Sequence, residues 1–397
     1  MSAIEVPEGS LFGLDNLPYG VFAAGGGAPR AGVRLGDSVI DLVATLRDEV
    51  FNAPALNPFM AEGPARWSAA RARIIELVTA GDVPRGAVFP LRDVELRLPF
   101  EVADYVDFYA SEHHASNLGR LFRPAAEPLM PNWKHLPVGY HGRAGTVVVS
   151  GTGIVRPTGQ RKGPNDAVFD KQGPVFGPSI RLDIEAELGF VVGAGSPIGT
   201  PVPTSAFAER VFGAVLVNDW SARDLQAWEY VPLGPHLGKS FATSVSPWVV
   251  PLAALRAARV PLPGQDPAPP PYLRETEDWG LDIDLAVEWN GQVVSRPPYR
   301  SMYWSPAQML AHMTVNGAST RPGDLFASGT ISGPGREQRG AFIELTWGGA
   351  EPVTVNGEPR TFLQDGDTVT ITATAPGASG GRIGFGVVTG TILPARP

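Results

Sequence analysis

Three acidic residues alternate with apolar ones in the segment RLDIEAELGFVVG, residues 181–193. Asp183, Glu185 and Glu187 fall on one face of a two-residue repeat, and the opposite face is apolar. A half-buried strand with an acidic, solvent-facing side would explain this pattern without any chemistry. Carboxylates that converge on a metal ion would be a second explanation. The segment by itself leaves both interpretations open.

A polar stripe at helical spacing follows in NDWSARDLQAWEYVP, residues 218–232. Steps of four, three and four residues return to nearly the same angle, which gives the stripe Asp219, Arg223, Gln226 and Tyr230. A solvated helix face would account for these residue types. However, Trp220, Trp228 and the preceding apolar run GAVLVN indicate buried surroundings, where a polar stripe more often faces a site.

A third cluster lies in VADYVDFYASEHHASNLGRLFR, residues 102–123. Ser111 is a suitable N-cap for a helix that carries two adjacent histidines. We expect His113 to lie on the surface, which leaves His114 as the candidate for chemistry. Three more residues flank this helix: Asp107, Tyr109 and Arg123. The loop NWKHLPVGYHGRAG then offers either tyrosine hydroxyls at a pocket wall or simple packing.

Strand-like segments such as GTVVVSG, LDIDLAVEWNG, DTVTITATA and RIGFGVVTGTIL dominate the chain from about residue 100. They predict one large β domain over 100–397. Residues 1–99 mix short alternating segments with Gly-rich turns and two helical patterns, VIDLVATLRDEV and WSAARARIIELVTAG. They predict a small separate domain. The overall expectation is a mainly β (α+β) protein, with the Pro-rich run 261–273 as a surface loop.

The composition excludes several function classes. The 397 residues are 43% hydrophobic and 18% charged, as in globular proteins, and the net charge of -8 without basic runs argues against nucleic-acid binding. Without cysteine, the chain has no disulfides, thiolate zinc sites or cysteine nucleophile. The first twenty residues do not resemble a signal peptide, and no apolar run is long enough for a membrane span. We expect a cytoplasmic protein that acts on a small molecule.

Five long segments between about residue 100 and the C-terminus carry a specific resemblance. They are DFYASEHHASNLGRLFRP, PNWKHLPVGYHGRAGTVVVSGTGIVRP, VNDWSARDLQAWEYVPLGPHLGKSFATSVSPWVVP, VNGASTRPGDLFASGTISGP and FLQDGDTVTITA. Together they closely resemble the fumarylacetoacetase (fumarylacetoacetate hydrolase) family. The resemblance implies a small SH3-like N-terminal barrel, a large C-terminal mixed β-roll domain, and a homodimer. It also implies calcium (Ca2+) and magnesium (Mg2+) as cofactors.

The same resemblance implies a role for each motif residue. The calcium ligands would be Asp107, Glu185, Glu187 and Asp219. Magnesium would be held at a second site by Asp219, Thr243 and the backbone carbonyl of Lys239. His114 would be the catalytic base, Glu344 its orienting partner, and Arg223, Gln226 and Lys239 would stabilise developing charge. Substrate would contact Tyr109, Arg123, Tyr140, Gln226, Tyr230 and Thr330. Asp183 matches no ligand, so for this residue the solvent-facing interpretation remains.

Elementary electrostatics supports the cation interpretation. Four carboxylates within a few ångströms would repel one another by several kcal/mol per pair at a dielectric constant near 20, so the cluster must take up protons or a cation. Because the set contains no His or Cys, a hard ion such as calcium or magnesium is favoured over zinc. The implied reaction is hydrolysis of a β-diketone carbon–carbon bond in fumarylacetoacetate, the last step of tyrosine and phenylalanine catabolism.

Two alternative functions remain at this stage. The first is a related hydrolase of acylpyruvates or other β-diketo acids on the same scaffold. The second is a metal-stabilised β protein without catalysis, which would be expected to lack the base or its partner, whereas His114 and Glu344 are both present. Arg120 and the polar loop 160–179 depart from the family pattern, and each could alter the rim of the pocket.

Overall fold

The computed structural model describes residues 4–162 and 173–396 of the chain. Residues 163–172, in the middle of the polar loop expected at the pocket rim, lie outside the described residues. The α-helices are α1 (Leu42–Leu46), α2 (Asn57–Ala61), α3 (Pro64–Ala80), α4 (Glu112–Phe122), α5 (Phe207–Arg210), α6 (Arg223–Glu229), α7 (Pro306–Thr314) and α8 (Phe342–Leu345). None of the helices in the described part of the chain combines the length and apolar character that a membrane span requires.

Most of the regular structure is β, as expected. The strands are β1 (Tyr19–Ala24), β2 (Arg30–Leu35), β3 (Ser38–Asp41), β4 (Val88–Pro90), β5 (Val94–Arg97), β6 (Tyr105–Phe108), β7 (Gly139–His141), β8 (Val147–Val149), β9 (Ile154–Val155), β10 (Thr158–Arg161), β11 (Val175–Pro178), β12 (Leu182–Asp183), β13 (Ala186–Val192), β14 (Val211–Asp219), β15 (Ser221–Ala222), β16 (Thr243–Val245), β17 (Trp248–Pro251), β18 (Arg259–Val260), β19 (Gly280–Leu281), β20 (Asp284–Trp289), β21 (Gln292–Ser295), β22 (Leu325–Ala327), β23 (Val353–Val355), β24 (Glu358–Arg360), β25 (Thr368–Pro376) and β26 (Arg382–Leu393).

A 13-stranded sheet runs through both the N-terminal and the C-terminal regions. Its main path is β4-β3-β2-β1-β17-β14-β13-β22-β6-β7, and β5, β16 and β8 attach at its sides. The first two residues of β1 pair with β17, so the N-terminal strands continue the C-terminal sheet. A second sheet, in the order β21-β20-β25-β26-β9, lies in the C-terminal region. The site described below is built on the β14-β13-β22-β6 part of the large sheet.

The N-terminal strands form an antiparallel sheet that stays open in the described residues. β1 pairs with β2 on one edge and with β5 on the other, while β3 joins β2 to β4. No hydrogen-bonded pairing joins β4 to β5 within the described residues, so the ladders alone do not close the expected barrel. The two helical patterns of this region form α1 and α3, as expected.

Both faces of the central strands are buried, because each face packs against a different core. Ile184, Ala186, Leu188 and Phe190 belong to the larger core, which confirms the predicted apolar face. The opposite face meets a second core, which contains Val191 and Val217 together with residues of α3 and of the N-terminal strands. The interpretation of this face as solvent-facing, which had remained for Asp183, is therefore wrong. The N-terminal region covers that side at Val191 and Val217, whereas Asp183 is enclosed by Arg223 and the start of α8. Asp183 and Glu187 are both fully buried.

Candidate active site and metal centre

The register of the large sheet brings carboxylates from distant segments together. Asp107 lies on β6, Glu187 on β13 and Asp219 at the end of β14, and Glu185 immediately precedes β13. Between β6 and β13, Ala327 of β22 pairs with Asp107 on one side and with Gly189 on the other. The strand β22 therefore lies between the strands that carry Asp107 and Glu187.

The four carboxylates form a compact, buried group. Each of Asp107, Glu185, Glu187 and Asp219 offers an oxygen, and these oxygens all lie within 4.8 Å of one another. Oδ1 of Asp107 and both carboxylate oxygens of Glu187 are buried without a hydrogen-bond partner among the described residues. Burial, and then the neighbouring carboxylates, raise the pKa values of Asp107 and Glu187 well above their ordinary range. Orphaned, charge-repelling oxygens of this kind fit a hard divalent cation.

Two cationic side chains neutralise the other half of the cluster. Nζ of Lys239 lies 2.7 Å from Oε2 of Glu185 and 2.8 Å from Oδ2 of Asp219. Arg223 donates from its Nη1 nitrogen to Oε1 of Glu185 at 2.7 Å. Although burial alone would raise it, Lys239 and Arg223 hold the pKa of Glu185 below its ordinary value. Asp107 and Glu187 therefore have no cationic partner among the described residues, and when both are ionised their two charges would match the charge of one divalent ion.

A histidine paired with a carboxylate faces this cluster. Ser111 caps α4 by accepting a hydrogen bond from the backbone N–H of His114 at 3.3 Å, as the sequence predicts. Nδ1 of His114 lies 2.6 Å from Oε2 of Glu344 on α8. Because Glu344 accepts the Nδ1 proton, Nε2 of the neutral ring is free to act as a base. That nitrogen lies 3.9 Å from Oε1 of Glu185.

The predicted substrate and second-site residues fall into an inner and an outer group. In the inner group, Tyr140 and Thr243 donate to the two oxygens of Asp219 at 3.1 and 2.8 Å, and Gln226 accepts from Arg223 at 3.0 Å. Thr330 is also buried, and its hydroxyl has no partner among the described residues.

The outer group surrounds the exposed end of α4 and the His114 ring. The Tyr109 ring meets the His114 ring edge-on at 5.3 Å between centroids. Tyr230 stacks on Phe122 at 6.2 Å. Arg123 donates to the backbone carbonyl of Pro128 at 3.1 Å. All three predicted residues are half-buried, and neither Arg123 nor Tyr230 contacts the acidic cluster through a hydrogen bond among the described residues.

One local prediction is wrong. Asp219 does not lie on the helix with Arg223, because β14 ends at Asp219 and the short strand β15 separates it from α6. Helical spacing still predicted correctly that Asp219 and Arg223 lie close together. The reason is different, because the end of a strand and the start of the following helix also direct these two side chains toward the same site. Tyr230 is the C-cap of α6, so only Arg223 and Gln226 lie within the helix.

Three buried polar residues of the site had no functional role predicted from the sequence. Asn117 donates to Oε1 of Glu344 at 2.8 Å, and Ser332 donates to Oε2 at 2.9 Å. Asp183 accepts from Nε of Arg223 at 2.7 Å. Asn117 lies three residues after His114, on the same side of α4, so helical spacing could have indicated it. No local signal distinguishes Ser332 from other serines.

The chain matches known proteins along its whole length. Residues 15–99 match the model described as Fumarylacetoacetase N-terminal, and residues 104–392 match Fumarylacetoacetate (FAA) hydrolase C-terminal. The fumarylacetoacetase of Homo sapiens is 48% identical, over 100% of this chain and 99% of its own length. The fumarylacetoacetase of Caenorhabditis elegans is 46% identical, over 99% of each chain.

Two solved structures share the fold at lower identity. A fumarylacetoacetate hydrolase from psychrophilic Exiguobacterium antarcticum superposes with a TM-score of 0.57 at 18% identity, over 96% of this chain and 100% of that chain. Maleylpyruvate hydrolase from Sphingobium sp. SYK-6, in complex with manganese (II) ion and pyruvate, gives 0.54 at 15% identity, with the same coverage.

Proposed function

The chain belongs to the fumarylacetoacetase family, and we propose that its buried site hydrolyses 4-fumarylacetoacetate to fumarate and acetoacetate. The observation that carries this proposal is the pairing of His114 with Glu344 at 2.6 Å, beside four carboxylates that converge within 4.8 Å. A base and a cation site in contact are what hydrolysis of a β-diketone requires, because water must be activated and the departing carbon must leave as a stabilised enolate.

The protein side chains divide the work of the reaction. Nε2 of His114 removes a proton from water, which attacks the carbonyl carbon next to the fumaryl double bond. The bond from that carbon to the central methylene breaks, and its electron pair leaves with the acetoacetate half as an enolate that is then protonated. Lys239 and Gln226 are proposed to stabilise the oxyanion, and Arg123 with the tyrosines to hold the substrate carboxylates.

The donor set is suited to calcium. Asp107, Glu185, Glu187 and Asp219 would hold the ion, since three of their oxygens are buried and unpartnered. When bound there, the cation supplies Lewis-acid polarisation of the diketone oxygens. The second ion, magnesium at Asp219, Thr243 and the carbonyl of Lys239, has only the family resemblance behind it. The side chains of that group already partner one another, and none of their oxygens is left without a partner among the described residues.

Loss of the ultraviolet absorbance of the conjugated diketone tests the proposal. The wild-type protein with calcium should consume fumarylacetoacetate, and removal of divalent ions with chelator should abolish turnover reversibly. His114→Asn should lower kcat by about 10²- to 10⁴-fold. His113→Asn is the matched control, because the neighbouring ring makes no contact with Glu344 and should be dispensable. Wild-type turnover by folded, metal-loaded His114→Asn protein would refute the role of the base.

The remaining expectations extend this proposal. Acylpyruvates, offered in competition with fumarylacetoacetate, should be poorer substrates, and a preference for them would favour the related hydrolase. We propose a homodimer located in the cytoplasm that serves tyrosine and phenylalanine catabolism, on the strength of the family resemblance. Light scattering of the purified protein tests the assembly, and cell fractionation tests the location.

A further inference from the structure

Asp183 is a buried carboxylate to which the family resemblance assigns no role. Its side chain is fully buried, and four donors surround it. Oδ1 accepts from the backbone N–H groups of Ile184 and Phe342, each at 2.7 Å. Oδ2 accepts from Nε of Arg223 at 2.7 Å and from the backbone N–H of Ile343 at 3.0 Å. A buried charge with this many charge-assisted bonds is held rigidly.

These contacts connect Asp183 to both halves of the site. On one side, Arg223 continues to Glu185, whose carboxylate belongs to the metal cluster. On the other side, the two backbone donors begin α8, a four-residue helix whose third residue is Glu344. Glu344 in turn holds His114.

Two series of contacts therefore lead from Asp183 into the site. One ends at Oε1 of Glu185 and the other at Nε2 of His114, and these two atoms are 3.9 Å apart. The distance between these atoms determines where a water bound to His114 lies relative to a substrate held at the carboxylate cluster. Shifts of about 1 Å at such positions can lower the rate about 10²-fold.

We propose that Asp183 is a positioning residue that sets the separation between the base His114 and the metal-binding carboxylate Glu185. This inference rests on the proposed function for its effect on catalysis. Its effect on the cluster itself does not depend on the substrate. Without the charge of Asp183, Arg223 directs its full charge at Glu185, and a divalent cation must compete with it.

Asp183→Asn is the test, with Asp41→Asn as its matched control. Asp41 is also a buried carboxylate that caps a short helix, α1, through the N–H of Ala44 at 3.2 Å. It also accepts from Nε of an arginine, Arg30, at 2.5 Å, but it lies in the N-terminal region and contacts no residue of the site. Both variants should lose stability, so a merely structural role for Asp183 predicts parallel behaviour.

Positioning predicts that the two variants differ. With calcium present, Asp183→Asn should lower kcat about 10- to 100-fold with KM changed less than about threefold, and its calcium affinity by titration calorimetry should weaken about tenfold. Asp41→Asn should keep the wild-type kcat and calcium affinity. If Asp183→Asn does not fold, Asp183→Glu keeps the charge but displaces the carboxylate, so kcat should fall by a similar factor while calcium affinity stays near that of the wild type.

Equal kcat losses in the two variants, or an unchanged kcat in folded Asp183→Asn protein, would overturn the inference. Failure of the proposed function looks different: the wild-type protein itself would not consume fumarylacetoacetate. In that case the calcium titration still decides, because wild-type calcium affinity in Asp183→Asn would remove the link between Asp183 and the cluster.

Discussion

Replacing Glu187 by glutamine should stabilise the metal-free protein and remove most of its calcium binding. The reason is that both carboxylate oxygens of Glu187 are buried without a partner among the described residues. In the metal-free protein the charge of Glu187 mainly repels Asp107, which has an unpartnered oxygen of its own. Glutamine keeps the size of the side chain and removes this repulsion, but it is a weaker ligand for a divalent ion.

The expected gain follows from the geometry. Two unit charges at 4.8 Å, the upper limit for the separation of the cluster oxygens, repel by about 3.5 kcal/mol at a dielectric constant near 20. Proton uptake by the wild-type pair relieves part of this repulsion, which leaves about 2 to 3 kcal/mol for Glu187→Gln. For 397 residues, an unfolding entropy of about 2.1 cal/mol/K per residue converts this gain to a rise in Tm of about 3 °C. Calcium at 1,000 times its Kd should stabilise the wild type by about 4 kcal/mol.

Glu185→Gln, two residues away, is the matched control and should have the opposite effect. Glu185 is paired with Lys239 and Arg223 at 2.7 Å each. Its neutralisation leaves two buried cations underpaired, which typically costs about 3 to 5 kcal/mol. Glu185→Gln should therefore lower Tm in chelator as well as in calcium, although both substitutions remove one carboxylate from the same cluster.

Thermal unfolding in chelator and in calcium, at pH 8, measures all of these effects. In chelator, Tm should be highest for Glu187→Gln, intermediate for the wild type and lowest for Glu185→Gln. Calcium should raise Tm substantially for the wild type alone. A lower Tm for Glu187→Gln than for the wild type in chelator would show that Glu187 is not an uncompensated charge. An equal calcium shift in wild type and Glu187→Gln would show that the ion does not bind at this cluster.

Three further predictions concern the base and a separate acid. Glu344→Gln should lower kcat about 10³-fold in the absorbance assay, because the amide no longer holds His114 in the productive tautomer, and an unchanged kcat would contradict the pairing. Asn117→Ala should cost about tenfold in kcat, because Glu344 loses the bond at 2.8 Å; calcium affinity should stay unchanged, and a loss there would indicate a wider disturbance. Burial raises the pKa of Glu275 to about 7, so the folded protein binds this proton more tightly than the unfolded chain does. The free energy of unfolding should fall by about 1 to 2 kcal/mol, discounted for partial exposure, as pH rises from about 4.5 to 7. Urea unfolding at pH 5 and pH 8 should show this loss of unfolding free energy in the wild type and not in Glu275→Gln. An equal change between the two pH values in both proteins would contradict the prediction.

Much of the site was predictable from local patterns, though some of the reasons were wrong. The N-cap at Ser111 and the apolar face through Leu188 follow from rules that act over a few residues, and the structure agrees with both. Asp219 and Arg223 were assigned to one helix, whereas Asp219 ends a strand and Arg223 begins a helix. Residues four apart can point toward the same site in either geometry, so the spacing did not distinguish the two. The side chain of Asp183 was expected in solvent, and a period-two pattern cannot tell whether a face is exposed or covered by another part of the chain.

Sequence alone therefore determined the residue types, the alternation of β13 and the helix that begins after Ser111, because these depend on neighbours within one or two turns. Through the family resemblance it also indicated which distant residues belong together. Only the tertiary structure decided that the acidic face is buried, that Lys239 and Arg223 neutralise Glu185 while Glu187 stays unpaired, and that Asp183 connects the base to the cluster. The physical reason is that burial and charge pairing depend on contacts between segments separated by tens of residues, as for Arg223 and Glu185, or by more than a hundred, as for Asp183 and Phe342.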